Sequence, residues 1–399
     1  MRILLAWELG GGLGHLSRLA PVARELERRG HEVIAAVRDP ARAAEWLPGI
    51  RVLPAPAREL PPEAPLLRAG SFADILHNVG WHSGATLEQL VSAWLGLLDE
   101  VRPGLLVLDF APSALLAARL RDMPRVLLST GFSSPPDVAP FPSLLHPPEP
   151  ERELECARRE SLIQERANQI LSRSGRRPLA RLGQLYSEVE RNIFATWPEL
   201  DHYGTRAGVK YSGVWSLKSG ERPPWPPGRG PKVFVYVKNF PARAELFRIL
   251  GSSGLPVLAY SDSPGPAERA DLLEGASVRV VDQPVDLAWA AKQCAFAVLN
   301  GGHGASALML LEGRPILEIP LVQEQHLLSR RVALLGAGQV ASPDSPQQIG
   351  RALQWLLLDS APHRAAARFR TRHAGTDQPT RVRRVADAIE ESAAAGRAS

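Results

Sequence analysis

The most informative chemistry in this chain lies in Asn300-Gly301-Gly302-His303-Gly304-Ala305-Ser306. An apolar run ends there, three glycines cluster, and a helical pattern begins with a hydroxyl residue in its first turn. Glycine lets a backbone approach a ligand closely, and a helix N-terminus offers unbonded N–H groups and the positive end of a dipole. The segment suits a pyrophosphate cradle, to which the side chains of His303 and Ser306 can add donors. A tight strand-to-helix turn with no ligand accounts for the same residues equally well. Downstream, Gly313-Arg314-Pro315 resets the chain into a strand closed by Pro320, and Glu324-Gln325 opens the next helix. A carboxylate and an amide one crossover beyond a phosphate cradle suit hydrogen bonds to sugar hydroxyls. Glu324 also complements a helix N-terminus by charge alone.

Two further residues stand at strand ends. His15 closes the glycine-rich turn Gly10-Gly11-Gly12-Leu13-Gly14 at the start of a helical pattern. Asp109 ends the apolar run Leu105 to Leu108 and precedes Phe110-Ala111-Pro112, where a helix N-cap is the competing role. The glycines are not a dinucleotide fingerprint: read from Gly10 or Gly12, the last glycine of GxGxxG falls on His15 or Ser17. No HExxH, no paired Cys/His spacing and no DxD occurs, so no metal and no tightly bound cofactor is expected.

The elements that position these residues alternate. Ile3 to Trp7 reads as a strand, Leu16 to Leu26 as an amphipathic helix stopped by Gly30, and His31 to Val37 as the next strand. Val52-Leu53, Leu105 to Leu108 and Arg125 to Leu128 read as strands, and Ser83 to Asp99 as a helix. Pro135 to Pro150 reads as irregular, and Glu151 to Glu190 as helical with a break at Ser174-Gly175. Residues 219–231 hold five prolines and three glycines in thirteen positions, which excludes helix and central strand. A second alternating segment follows: strands Val233 to Val237, Val257 to Tyr260, Val278 to Val281, Phe296 to Leu299 and Ile316 to Ile319. The helices between them are Ala242 to Leu250, Ala267 to Leu273, Val285 to Gln293, Ala305 to Glu312 and Gln323 to Leu335. The tail, Gln347 to Ser392, is helical. The expected organisation is an α/β chain with a domain over 1–218, a linker over 219–231, a second domain over 232–375 and a C-terminal helix over 376–399 that can cross back to the first domain. Two open parallel sheets place ligands outside the carboxyl ends of their strands.

Asn300 to Gly338 resembles the donor-binding signature of GT-B glycosyltransferases of the glucuronosyl and macrolide group, and is more distantly similar to the peptidoglycan N-acetylglucosaminyltransferase. Gly301, Gly302, Gly304, Gly313, Pro315, Glu324 and Gln325 stand at the family's spacing without a gap. The resemblance implies two Rossmann-like domains facing each other across a cleft. By it, Gly302 to Ser306, Ala305 included, bind the donor diphosphate, and Glu324 and Gln325 hold the donor sugar. Gly12, Gly14 and His15 form the first domain's turn, and His15 is the general base that deprotonates an acceptor hydroxyl. Neutral imidazole suits that work. Asp109 orients His15 through Nδ1, as in hydrolase triads. Lys238, after the first strand of the second domain, lies near the donor phosphates, and Gln283 borders the nucleobase. The acceptor is expected among the first domain's loops, with Phe72, His77, Trp81 and His82 as candidates. Asn300 replaces the family's histidine, Ala305 its Thr or Ser, and Leu308 the acid that binds the ribose.

The expected activity is inverting, metal-independent transfer of a sugar from a UDP- or dTDP-sugar to a hydroxyl acceptor, which can be a small molecule, a saccharide or a lipid. The alternatives are a sugar-nucleotide 2-epimerase of the same fold and a catalytically degenerate sugar-nucleotide-binding protein. Bulk properties agree. Hydrophobic residues make up 45% and charged residues 22% of 399, ordinary for a globular protein. The net charge of +5 comes from scattered arginines with no run of like charge, so no nucleic-acid tail is expected. It leaves contact with an anionic membrane surface open. No apolar stretch reaches the ~18 residues that span a bilayer. The run from Ile3 to Trp7, ended by Glu8, is too short for a signal peptide's core. Two isolated cysteines fit a reducing compartment, and a cytoplasmic location is expected.

Overall fold

The computed structural model describes residues 1–11, 13–56, 63, 65–215, 220–261 and 277–395. They form two compact units. The first takes Met1–Trp197, Thr205–Trp215 and Gln378–Ser399, and the second takes Pro198–Gly204 and Ser216–Asp377.

In the first unit β1 (Arg2–Trp7), β2 (Glu32–Val37), β3 (Arg51–Pro54), β4 (Leu105–Asp109), β5 (Arg125–Ser129) and β6 (Arg191–Phe194) form one sheet in the order β3-β2-β1-β4-β5-β6. All pairs are parallel. The two central strands read RILLAW and LLVLD, with every residue after Arg2 buried. Continuous apolar runs of this kind belong to parallel sheets covered on both faces. The chain winds outward from β1 to β3 and returns to β4 on β1's other side. The β1/β4 junction is therefore the sheet's switch point, and there Trp7 stands in register with Asp109.

The second unit repeats the plan. The strands β7 (Val233–Tyr236), β8 (Val257–Tyr260), β9 (Val278–Val281), β10 (Phe296–Leu299), β11 (Ile316–Glu318) and β12 (Gly338–Val340) run in the order β12-β11-β10-β7-β8-β9. Again every pair is parallel. The switch point lies between β7 and β10. Val235, Phe247, Val257, Phe296, Val298, Leu317 and Leu353 sit in its core.

The local readings differ from the structure in three respects. Glu151 to Glu190 is not helical throughout: the helix is Pro150–Arg173, and Gly175 at φ 68° ends it while the Arg176 amide bonds the Leu171 carbonyl at 2.8 Å. Beyond it Leu179 and Leu182 are buried in irregular chain and Leu185 in the short helix Gln184–Ser187, leading to the edge strand β6. The helices Pro40–Trp46, Phe72–Leu76 and Pro112–Leu120 were not expected, because each is short and two begin at a proline. The edge strand β12, with only three residues, carries no periodicity to read. The expected helix Ala267 to Leu273 lies outside the described residues.

The tail folds as the helices Pro346–Leu358, Ala361–His373 and Gln378–Ala395. The last is part of the first unit, where Val385, Ala386 and Ile389 are buried. Arg29 at the end of the helix Gly14–Arg28 bonds Glu25 at 2.8 Å, Asp387 at 2.7 Å and Glu390 at 2.6 Å. His31 bonds Glu390 at 2.7 Å. A shared cation among three carboxylates is a network rather than an isolated surface pair. Replacing Arg29→Met should cost about 1–2 kcal/mol in urea unfolding. An unchanged midpoint would show that apolar packing alone holds the terminal helix.

Candidate functional site

At the switch point of the first unit the backbone turns sharply. Gly10 has φ +83°, and a Cβ there would lie 2.6 Å from His15 Nε2. Glycine is thus required twice, for the left-handed backbone and for clearance beside the imidazole. His15 is the second residue of the helix Gly14–Arg28, and its ring stacks on Trp7 with centroids 5.0 Å apart and an 18° interplanar angle. Phe110 lies on it at 6.3 Å. Nδ1 is 3.1 Å from Asp109 Oδ2. Asp109 is fully buried. Gly14 opens the helix, and Gly12 lies outside the described residues.

Arg18, one helical turn from His15, escaped the sequence reading. Its guanidinium bonds Asp109 three times, at 2.6, 2.6 and 3.1 Å, and approaches His15 Nδ1 at 3.3 Å. The i, i+3 spacing of His15 and Arg18 was the available signal. Desolvation pushes the Asp109 carboxyl up, but Arg18 and then His15 outweigh it and hold it below the usual carboxylate range. Glu8 was also missed. It follows β1, is buried, and accepts from the Ser113 and Ala114 amides at 2.9 and 3.3 Å, at the start of the helix Pro112–Leu120. Burial pushes its carboxyl up to about 7 despite those bonds.

Two of the four acceptor candidates, Phe72 and Trp81, do not hold. Phe72 is fully buried, packed edge-on against Phe132, Phe141 and Tyr186. Trp81 is fully buried, with Nε1 on Ser113 Oγ at 3.2 Å. Both are core side chains, because each lies inward on a short helical segment that the sequence reading took for loop. His82 is half-buried with Nδ1 3.2 Å from the His77 carbonyl, and the two rings lie 5.7 Å apart.

In the second unit β10 ends at Leu299. Asn300 then ties three segments together: its Oδ1 accepts from the Lys238 amide at 2.6 Å, and its Nδ2 donates to the Ile319 carbonyl at 2.7 Å. Gly301 has φ +76°, and a Cβ there would meet Ser329 Oγ at 2.5 Å and the Gln325 carbonyl at 2.9 Å. The helix His303–Leu311 starts after Gly302, which has no side chain to cap it. A Cβ at Gly302 or Gly304 would meet nothing within 4 Å, which leaves the approach to its first turn open. Ala305 is buried in the first turn.

Three donor-side readings change. The Ser306 hydroxyl is fully buried and donates to Glu318 Oε1 at 2.7 Å, so it is not an additional phosphate donor. Asn300 spends both ends of its amide on the backbone. Gln325 spends its carbonyl oxygen on the Leu321 and Val322 amides at 2.8 and 3.3 Å, a reach-back cap of its own helix. Leu308 is buried. His303 is buried and stacks on His202 with centroids 5.7 Å apart, and His202 Nε2 lies 4.0 Å from Glu324 Oε1. Glu324 is partly exposed at the start of Gln323–Leu334, while Lys238 and Gln283 are exposed after β7 and β9. Glu318, at the end of β11, was missed.

Comparison with known proteins follows this geometry. No family model matches the chain. It is 27% identical over 309 residues to a PGL/p-HBAD biosynthesis rhamnosyltransferase of Mycobacterium bovis (strain BCG / Pasteur 1173P2), spanning 71% of this chain and 67% of that protein. The calicheamicin glycosyltransferase CalG4 superimposes with a TM-score of 0.71 over 98% of each chain at 21% identity. Glycosyltransferase VinC in complex with dTDP gives 0.69 over 98% of this chain and 100% of its own at 16% identity. The spinosyn rhamnosyltransferase SpnG gives 0.65 over 97% and 99% at 19% identity. The chain has the GT-B fold, and the resemblance drawn from residues 300 to 338 is borne out at that level. Its relatives in sequence and in structure are glycosyltransferases. No helix among the described residues is long and apolar enough to cross a membrane.

Two stability predictions follow from the buried carboxyls. Asp109, held below its ordinary range, contributes stability that is present above the unfolded carboxyl's pKa and lost as pH falls through the depressed folded value. Arg18→Met leaves that charge with His15 as its partner, so it should cost about 3–5 kcal/mol and move acid unfolding to higher pH. Asp109→Asn added to Arg18→Met should recover part of the loss, and thermal melts across the acid range measure both. Glu8 has the opposite sign. Its contribution is full below the ordinary value of 4.5 and is lost as pH rises through about 7. Glu8→Gln should therefore lose less stability between pH 5 and pH 8 (about the window of that titration) than the parent protein does.

Proposed function

We propose that the chain transfers a sugar from a nucleotide diphosphate sugar, of the dTDP or UDP type, to a hydroxyl acceptor with inversion at the anomeric carbon and without a metal. The observation that carries this reading is the His15–Asp109 pair at the β1/β4 switch point, set in a glycine turn that leaves Nε2 free of any Cβ.

Each half of the reaction is assigned to one unit. In the first, Nε2 of His15 takes the proton of the acceptor hydroxyl. The acceptor oxygen attacks the anomeric carbon, and the bond from that carbon to the diphosphate oxygen breaks. Nδ1–H donates to Asp109, which fixes the tautomer and stabilises the imidazolium. Arg18 keeps Asp109 ionised for that purpose. In the second, at 232–375, the open amides at Gly302 to Ala305 and the dipole of the helix His303–Leu311 receive the negative charge of the leaving diphosphate. Glu324 bonds sugar hydroxyls, and Lys238 adds positive charge nearby. Structures of VinC and of SpnG with thymidine diphosphate support dTDP as the first nucleotide to test.

A second reading keeps sugar-nucleotide binding without turnover. It is favoured by Asn300, Ser306 and Leu308, whose side chains are all spent on the protein itself. His15→Ala separates the two. Transfer, or slow hydrolysis of the donor, should fall by at least about 10²-fold, while thermal stabilisation by dTDP stays as in the parent. Near-normal turnover in His15→Ala would remove His15 as the base. Binding with no turnover by the parent across donors would favour the second reading.

A further inference from the structure

We propose that Glu318 is a proton-controlled positioning residue beneath the diphosphate cradle, and that its ionisation weakens the grip of the turn on nucleotide diphosphates. This rests on the reading of Gly301 to Ala305 as the donor site. Nothing in the donor signature calls for an acid here. The position lies in the strand between Pro315 and Pro320, where an apolar residue would complete the core.

Glu318 ends β11 and has no exposed surface. Its Oε1 accepts from Ser306 Oγ at 2.7 Å, and Ser306 belongs to the first turn of the helix His303–Leu311. The Gly301 amide adds a weaker stabilising contact, while Oε2 has no conventional hydrogen-bond partner among the described residues. No charged side chain among the described residues contributes to its titration. A carboxylate in such a place lacks the counter-charge that Asp109 has in the first unit, so it holds a proton well above the usual range, to about 7.

The two partners locate the consequence. Gly301 is the left-handed residue that turns the chain out of β10, and Ser306 lies in the first turn of the helix that opens at the cradle. With its proton, Glu318 is a neutral floor for that turn. Without it, a negative charge sits behind amides that are meant to receive a diphosphate, in a poorly screened environment, and opposes the helix dipole.

The test uses the full chain and measures dTDP affinity calorimetrically between pH 6 and 8.5 (roughly 1–1.5 units on either side of the titration). The parent's affinity should fall roughly fivefold to tenfold over that range. Glu318→Gln, which keeps an acceptor for Ser306, should match the parent at the acid end and stay flat above it. Its melting temperature at the acid end, where both side chains are neutral, checks folding. Ser306→Ala removes the hydroxyl that stabilises the carboxylate and should move the midpoint to higher pH. A fall that persists in Glu318→Gln would overturn the inference and transfer the effect to another group, His303 first. A parent with no fall would overturn it as well, while leaving the donor site standing. Failure of both dTDP and UDP to bind either protein at any pH would overturn the donor-site reading and this inference together.

Discussion

A carboxylate stripped of water at the centre of a parallel sheet must find its counter-charge within hydrogen-bonding distance or give up its ionisation. Asp109 finds it. Arg18 reaches it with three bonds and His15 with one, three of the four contacts falling on Oδ2 and one on Oδ1. Much of the first unit's switch point answers to this demand. Trp7 and Phe110 supply the apolar walls, Gly10 clears the far nitrogen, and the helix Gly14–Arg28 brings His15 and Arg18 to the same oxygen. Arg18 is itself held from outside the helix, since its carbonyl accepts from Trp215 Nε1 at 2.9 Å.

The second unit meets the same demand differently. Its buried acid, Glu318, has a hydroxyl and an amide for company rather than a guanidinium. The two carboxyls therefore diverge: one is held ionised below its ordinary range, and the other keeps its proton to about 7. Neutral amide chemistry does the mechanical work there. Asn300 bridges the ends of β7 and β11 across β10, so the turn that follows β10 is fixed at the point where the sheet changes winding direction. The glycine that follows is required because a Cβ would meet the Gln325 carbonyl, and Gln325 is anchored by capping its own helix.

Much of this was legible in the sequence because it depends on short-range pattern. Apolar runs of four to six residues alternate with period-3.6 segments, and that pattern alone dictates parallel sheets and crossovers. Glycines at strand ends mark turns, and the ungapped spacing from Gly301 to Gln325 carries the resemblance to GT-B glycosyltransferases. His15 and Asp109 were readable as strand-end residues, and their contact follows from β1 and β4 being neighbours in register.

Burial and partner choice were not readable, because they depend on elements far apart in the chain. Phe72 and Trp81 looked like residues free to line a binding loop, but they pack against side chains from four other segments. Ser306 looked like a donor awaiting a phosphate, and β11 turns it inward by bringing Glu318 under it. Arg18 looked like one of many scattered arginines until β4 placed Asp109 against it, 91 positions further along the chain. The sequence by itself determined the two α/β halves, their glycine turns and the kinds of group at each strand end, since local periodicity and backbone permissiveness encode those. Which polar groups face a ligand and which are spent on one another was decided only by the tertiary structure, because water is excluded by the whole fold and not by any one segment of it.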